Sequence, residues 1–107
     1  IAGRVVNVGP GTWLPSFGGT GSVNIGVRLK DAHGAMLNPD YARLALSSTP
    51  SPHATEIRVS ELIPLPHLRR FRLDVDLVAE GVTWFEIGGT QPSTFVVDLD
   101  AGTICAP

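Results

Sequence analysis

Apolar and polar residues alternate with a period of two along much of this 107-residue chain. The clearest run covers residues 71–80. Phe71, Leu73, Val75, Leu77 and Ala79 fall on one side, and Arg72, Asp74, Asp76, Val78 and Glu80 on the other. Such alternation belongs to a strand with one face turned to a core. Residues 23–30 repeat it, with Val23, Ile25, Val27 and Leu29 opposed to Asn24, Gly26, Arg28 and Lys30. Residues 55–60 form a third run, in which Thr55, Ile57 and Val59 alternate with Glu56, Arg58 and Ser60. Shorter extended runs cover residues 4–8, 84–87 and 94–99. Residues 35–37 are placed to pair back on residues 23–30 across the turn Asp31-Ala32-His33-Gly34. Residues 41–46 fit either a strand or a short helical turn.

Turn residues separate these runs. The chain holds 12 glycines and 9 prolines, spread without a fixed period, which suits many short strands and excludes a collagen-like repeat. Gly9-Pro10-Gly11, the segment 47–52 and Gly88-Gly89 are breaks of this kind. No stretch has a helical period. The expected fold is all-β: an antiparallel, immunoglobulin-like β-sandwich of about seven strands in one domain spanning residues 1–107.

Composition narrows the class. Apolar residues make up 43% of the chain and charged residues 17%, so the chain is globular and not disordered. A domain of this length buries roughly 65% of its unfolded surface, enough for one core without a metal or disulfide staple. The single cysteine, Cys105, cannot form an internal disulfide, and its place near the end reads as a free tail. A net charge of −2 provides no field to attract nucleic acid or an anionic membrane. No apolar run approaches the roughly 18 residues that span a bilayer. The chain opens on Ile1 with no basic, apolar leader, which reads as a piece of a larger protein.

Catalytic signatures are scarce. Neither a Gly-x-Ser-x-Gly elbow nor a phosphate loop is present. Gly9-Pro10-Gly11 begins like a dinucleotide fingerprint, but Leu14 stands where its third glycine belongs. His33, His53 and His67 share no zinc-ligand spacing and read as exposed loop residues. No cofactor is expected.

Three groups remain open to a binding role. Asp74 and Asp76 point to one face of their strand, about 6.6–6.8 Å apart. Such a pair suits a cation site, and equally a solvated sheet face that discourages edge pairing. Arg69, Arg70 and Arg72 form the one basic cluster, able to grip a phosphate or an acidic sugar, or to serve as ordinary surface charge. Trp84 precedes Phe85, and neighbours on a strand face opposite ways. If Phe85 is inside, the Trp84 indole is available to stack on a sugar ring; the reverse assignment makes Trp84 a core residue. Trp13, beside turn residues, reads as core or core edge.

The stretch 63–90, IPLPHLRRFRLDVDLVAEGVTWFEIGGT, has a Pro-rich approach and then a strand ending in Asp76-Leu77-Val78-Ala79-Glu80-Gly81-Val82. A Trp84-Phe85 pair and a glycine turn follow. Upstream stand Asn7-Val8-Gly9 with Trp13 soon after, and a strand ending in Asp31-Ala32-His33-Gly34. These features resemble a bacterial β-sandwich domain appended to glycosyltransferases and methyltransferases of cell-envelope polysaccharide biosynthesis. In plan it is similar to the carbohydrate-binding domain at the end of O-antigen ABC-transporter ATPases. One departure is His67-Leu68-Arg69-Arg70, where that group has Pro-Gly before the long strand.

The resemblance implies a bacterial accessory domain, not an enzyme in itself, beside the catalytic domain of a parent chain. It implies a cytoplasmic place, with the inner membrane reached through the parent protein. The partner expected is a glycan, bound by Trp84 with Asp74, Asp76, Arg70 and Arg72. Nucleic acid and membrane insertion are not expected. The alternative is a structural element that docks on its own catalytic domain or forms a homodimer.

Overall fold

A computed structural model describes residues 2–7, 17–46, 55–60, 63–85 and 92–105. Eight strands run through them: β1 (Ala2–Asn7), β2 (Val23–Asp31), β3 (Met36–Leu44), β4 (Thr55–Ser60), β5 (Arg70–Ala79), β6 (Thr83–Trp84), β7 (Ser93–Asp98) and β8 (Thr103–Cys105). All pairings are antiparallel. β1 and β4 form a two-stranded sheet, and the other six form a sheet ordered β3-β2-β5-β7-β8, with β6 added to β5. The all-β antiparallel class is thus as the alternation implied. Among the described residues the strands number eight, where about seven were expected.

β2 and β5 make the centre of the large sheet because they carry the two cleanest alternations. Their register sets Ile25 opposite Leu77, Val27 opposite Val75 and Leu29 opposite Leu73. β7 extends the row by pairing Val97 with Phe71 and Phe95 with Leu73. The apolar residues therefore share one face. Val27, Leu29, Phe71, Leu73 and Val97 form one buried cluster, and Val23, Ile25 and Leu46 a second. Half-buried Val75 packs against both, so the two clusters form one continuous layer along the sheet.

Local chemistry fixes the connections. In the β2–β3 turn the Asp31 carboxylate accepts the backbone N–H groups of His33 (2.8 Å) and Ala35 (2.9 Å), and Gly34 takes a φ of +87°. The backbone bond to Ala35 comes first in holding the Asp31 carboxyl below its usual range; slight burial opposes it, and the bond to His33 and that ring's charge add to it. Between β5 and β6, Val82 N–H donates to the Ala79 carbonyl at 2.9 Å, and Gly81 takes a φ of +71°. That tight reversal returns the chain beside β5 after three residues.

β3 is longer than the 35–37 hairpin arm the sequence suggested, and residues 41–44 are strand and not a helical turn. Its ladder with β2 shifts between Ala42 and Asn38, so β3 accommodates Pro39 at an irregular edge where its missing N–H costs no ladder bond. Asn38 closes the shift by accepting the Asp40 N–H at 2.9 Å. At the opposite edge, Cys105 is not in a free tail. It ends β8, paired with Val96, and is exposed.

Candidate functional site

The second face of the six-stranded sheet is polar, and the register assembles it row by row. Lys30 lies opposite Arg72, Arg28 opposite Asp74, Gly26 opposite Asp76 and Asn24 opposite Val78. β7 adds Asp98 opposite Arg70, Val96 opposite Arg72 and Thr94 opposite Asp74. β3 places Arg43 opposite Gly26, and β6 places Trp84 opposite Val78. All five residues expected to bind, Arg70, Arg72, Asp74, Asp76 and Trp84, therefore lie on this one face.

Trp84 and Phe85 divide as strand geometry requires. Phe85 packs against the buried cluster of Val23, Ile25 and Leu46. Trp84 is half-buried on the polar face. Its ring crosses towards β2 and comes to rest over Gly26, leaving no room there for a side chain. The guanidinium carbons of Arg28 and Arg43 stand 4.6 and 4.8 Å from the ring centroid. Both are within the range where a cation is drawn to the electron-rich face of indole. The polarised indole and its two arginines form one unit, anchored to two strands.

Arg43 is itself held on its other side. It donates to Asp40 at 2.6 Å and reaches Glu80 at 3.3 Å. Glu80 also accepts from the buried Asn24 amide at 2.9 Å, and the Asn24 oxygen accepts the Phe17 N–H at 3.1 Å. This chain of bonds accounts for a buried asparagine on a sheet face, since its donor and its acceptor are both used.

Asp74 and Asp76 correct the solvated-face expectation. They are 4% and 6% exposed. Asp74 binds the Lys30 ammonium at 2.6 Å and accepts the Thr94 hydroxyl at 2.8 Å. Burial pushes the Asp74 carboxyl up. The bonds from Lys30 and Thr94 and the charges of Lys30 and Arg28 outweigh it, so its net shift is downward. Asp76 accepts the N–H of Leu77 at 2.8 Å. Val78, read from the sequence as a surface residue, is buried as well. A cation at Asp74 would have to displace the Lys30 ammonium. Among the described residues, no group of three or more His, Cys, Asp or Glu side chains is placed to hold a metal.

The arginine cluster separates into different roles. Arg69 pairs with Asp100 at 2.8 Å, both exposed, and exposed Arg70 pairs with half-buried Asp98 at 3.3 Å. Backbone bonding from Ala101 leads in holding the Asp98 carboxyl low, against slight burial, and Arg70 contributes. Arg72 is half-buried, and its Nε–H finds no acceptor. His33 and His67 are exposed, as expected. Trp13, His53 and Gly9-Pro10-Gly11 lie outside the described residues, as do residues 86–87 of the expected strand 84–87.

Sequence reasoning missed Arg28, Lys30, Arg43 and Glu80 as members of this face. The polar side of β2 was readable, but which strand would lie beside it was not. Among the described residues, no helix is long and apolar enough to cross a membrane. No protein-family model, curated protein or solved structure matches this chain.

Proposed function

We propose that this chain is a non-catalytic accessory module that binds carbohydrate, serving a larger protein of bacterial cell-envelope glycan biosynthesis on the cytoplasmic side. The envelope setting rests on the motifs in residues 63–90. What supports a binding face is the setting of Trp84. It is a half-buried indole on a polar sheet face, in contact with two guanidinium groups, one of which is bound to Glu80. Sugars present apolar ring faces beside hydroxyls, and an aromatic surface ringed by charged donors and acceptors offers a partner for both.

The test is a glycan-array screen of the folded chain against Trp84→Ala, with circular dichroism to show that the variant keeps its sheet. Binding by the wild type that the variant loses is the expected result. A folded wild type that binds no glycan overturns the proposal.

The second reading is docking or self-association. What favours it is an apolar margin at the β7–β8 edge, where Ile104 is 68% exposed and Val96 and Cys105 are also exposed. Sedimentation of the purified chain distinguishes a dimer through that edge from a monomer.

A further inference from the structure

On the reading of the polar face as a binding surface, we infer that Lys30 and Arg72 form a subsite for an oxyanion, the carboxylate of an acidic sugar or a phosphate ester on a glycan.

The case starts from the register. Lys30 and Arg72 are directly opposed on β2 and β5. Like charges across a strand pair repel and are destabilising unless something neutralises them. Lys30 is neutralised by Asp74 at 2.6 Å. The second oxygen of that carboxylate accepts from Thr94. Arg72 receives no such relief. The ion pairs of the described residues engage Lys30, Arg43, Arg69 and Arg70, and none engages Arg72. Its Nε–H is buried with no acceptor, a state that carries the desolvation cost of a charged donor.

The neighbours offer no internal remedy. Val96, opposite Arg72 on β7, is apolar. The Arg72 guanidinium extends towards the β2–β3 turn, where a Cβ built on Gly34 would stand 3.7 Å from Nη1. The turn carboxylate of Asp31 accepts two backbone N–H groups with one oxygen and forms no ion pair with Arg72. Arg28, the next residue on this side of β2, lies opposite Asp74, and its charge acts on that carboxylate together with that of Lys30. Among the described residues, the cation of this row with no ion pair and a buried donor left open is Arg72. A guanidinium fork matched with an ammonium is the donor set that holds a carboxylate or phosphate group. A neutral sugar would leave the charge where it is.

The experiment is an NMR titration of the full chain that follows the side-chain Nε–Hε signals of Arg72 and Arg69, with chloride matching the ionic strength. The probes are glucuronate, inorganic phosphate and glucose. Saturable movement of the Arg72 signal with glucuronate, phosphate or both is expected, with the Arg69 signal unmoved. The relative response to the two anions tells a carboxylate ligand from a phosphate one. Arg72→Gln should weaken that binding by about ten-fold or more, read from backbone signals of β2, while Arg69→Gln leaves it unchanged.

An Arg72 signal that no anion moves overturns the inference. So does equal movement at Arg69, which marks diffuse screening. Movement by glucose alone overturns it too, yet leaves the carbohydrate-binding proposal standing. That proposal fails separately, on the glycan array.

Discussion

Gly26 and Trp84 occupy one space: a Cβ on residue 26 would stand 2.5 Å from Trp84 Cη2 and closer still to Cζ3. Real carbon atoms do not approach so nearly, so the indole lies where it does only because residue 26 has no side chain. The ring cannot yield freely, because Arg28 and Arg43 hold it.

Gly26→Ala should therefore destabilise the fold by about 1–3 kcal/mol, the cost of overpacking a fixed site. Indole fluorescence should shift as the ring is pushed towards solvent. Urea unfolding checks the first outcome and an emission spectrum the second. An unchanged midpoint would mean that the ring is not seated over Gly26.

The Trp84–Arg43 contact should appear as a coupling of about 0.5–1 kcal/mol in a double-mutant cycle of Trp84→Leu and Arg43→Gln. Arg43→Gln alone also releases Asp40 and Glu80, so the cycle is needed to isolate the ring contribution. Denaturant midpoints of the four proteins give the value.

Asp74 ties stability to acid pH. Its carboxyl titrates lower in the folded chain than in the unfolded one. The stabilisation it provides is therefore complete above the unfolded value, near pH 4, and is lost as pH falls through the lower folded value. Thermal midpoints should be level around neutrality and drop below about pH 4. Asp74→Asn should cost about 1–3 kcal/mol at neutral pH, by leaving Lys30 beside a neutral amide. It should also flatten the acid limb of the curve.

Ile104→Lys should leave stability within about 0.5 kcal/mol of the wild type, because the side chain already faces water. If the β8 edge associates, the same change should abolish the dimer in sedimentation runs. A dimer that survives Ile104→Lys places the association elsewhere.

Much of this was legible from alternation alone. The period of two on β2 and β5 assigned each residue of those runs to its face and put Arg72, Asp74 and Asp76 together on one of them. What alternation does not encode is the neighbour. Burial of Asp74 depends on Lys30 and Thr94 arriving from two other strands, so a run of charges that reads as solvated is in fact a buried pair. Val78 was the available signal, since an apolar residue in that polar row marks a place that something covers. β8 went unread because three residues are too few to show a period. β3 was read in two pieces, 35–37 and 41–46, because Pro39 interrupts the pattern between them, although an irregular edge accepts it.

β6 has only two residues, too short for its ladder alone to fix its alignment against β5. The adjacent aromatics supply what the hydrogen bonds lack. A slip of one position would turn Phe85 out among the arginines and drive the indole into the aliphatic layer, exchanging two well-matched environments for two poor ones. The pair thus acts as a key that fits one way round, and it sets where the chain re-enters the sheet after its sharpest reversal.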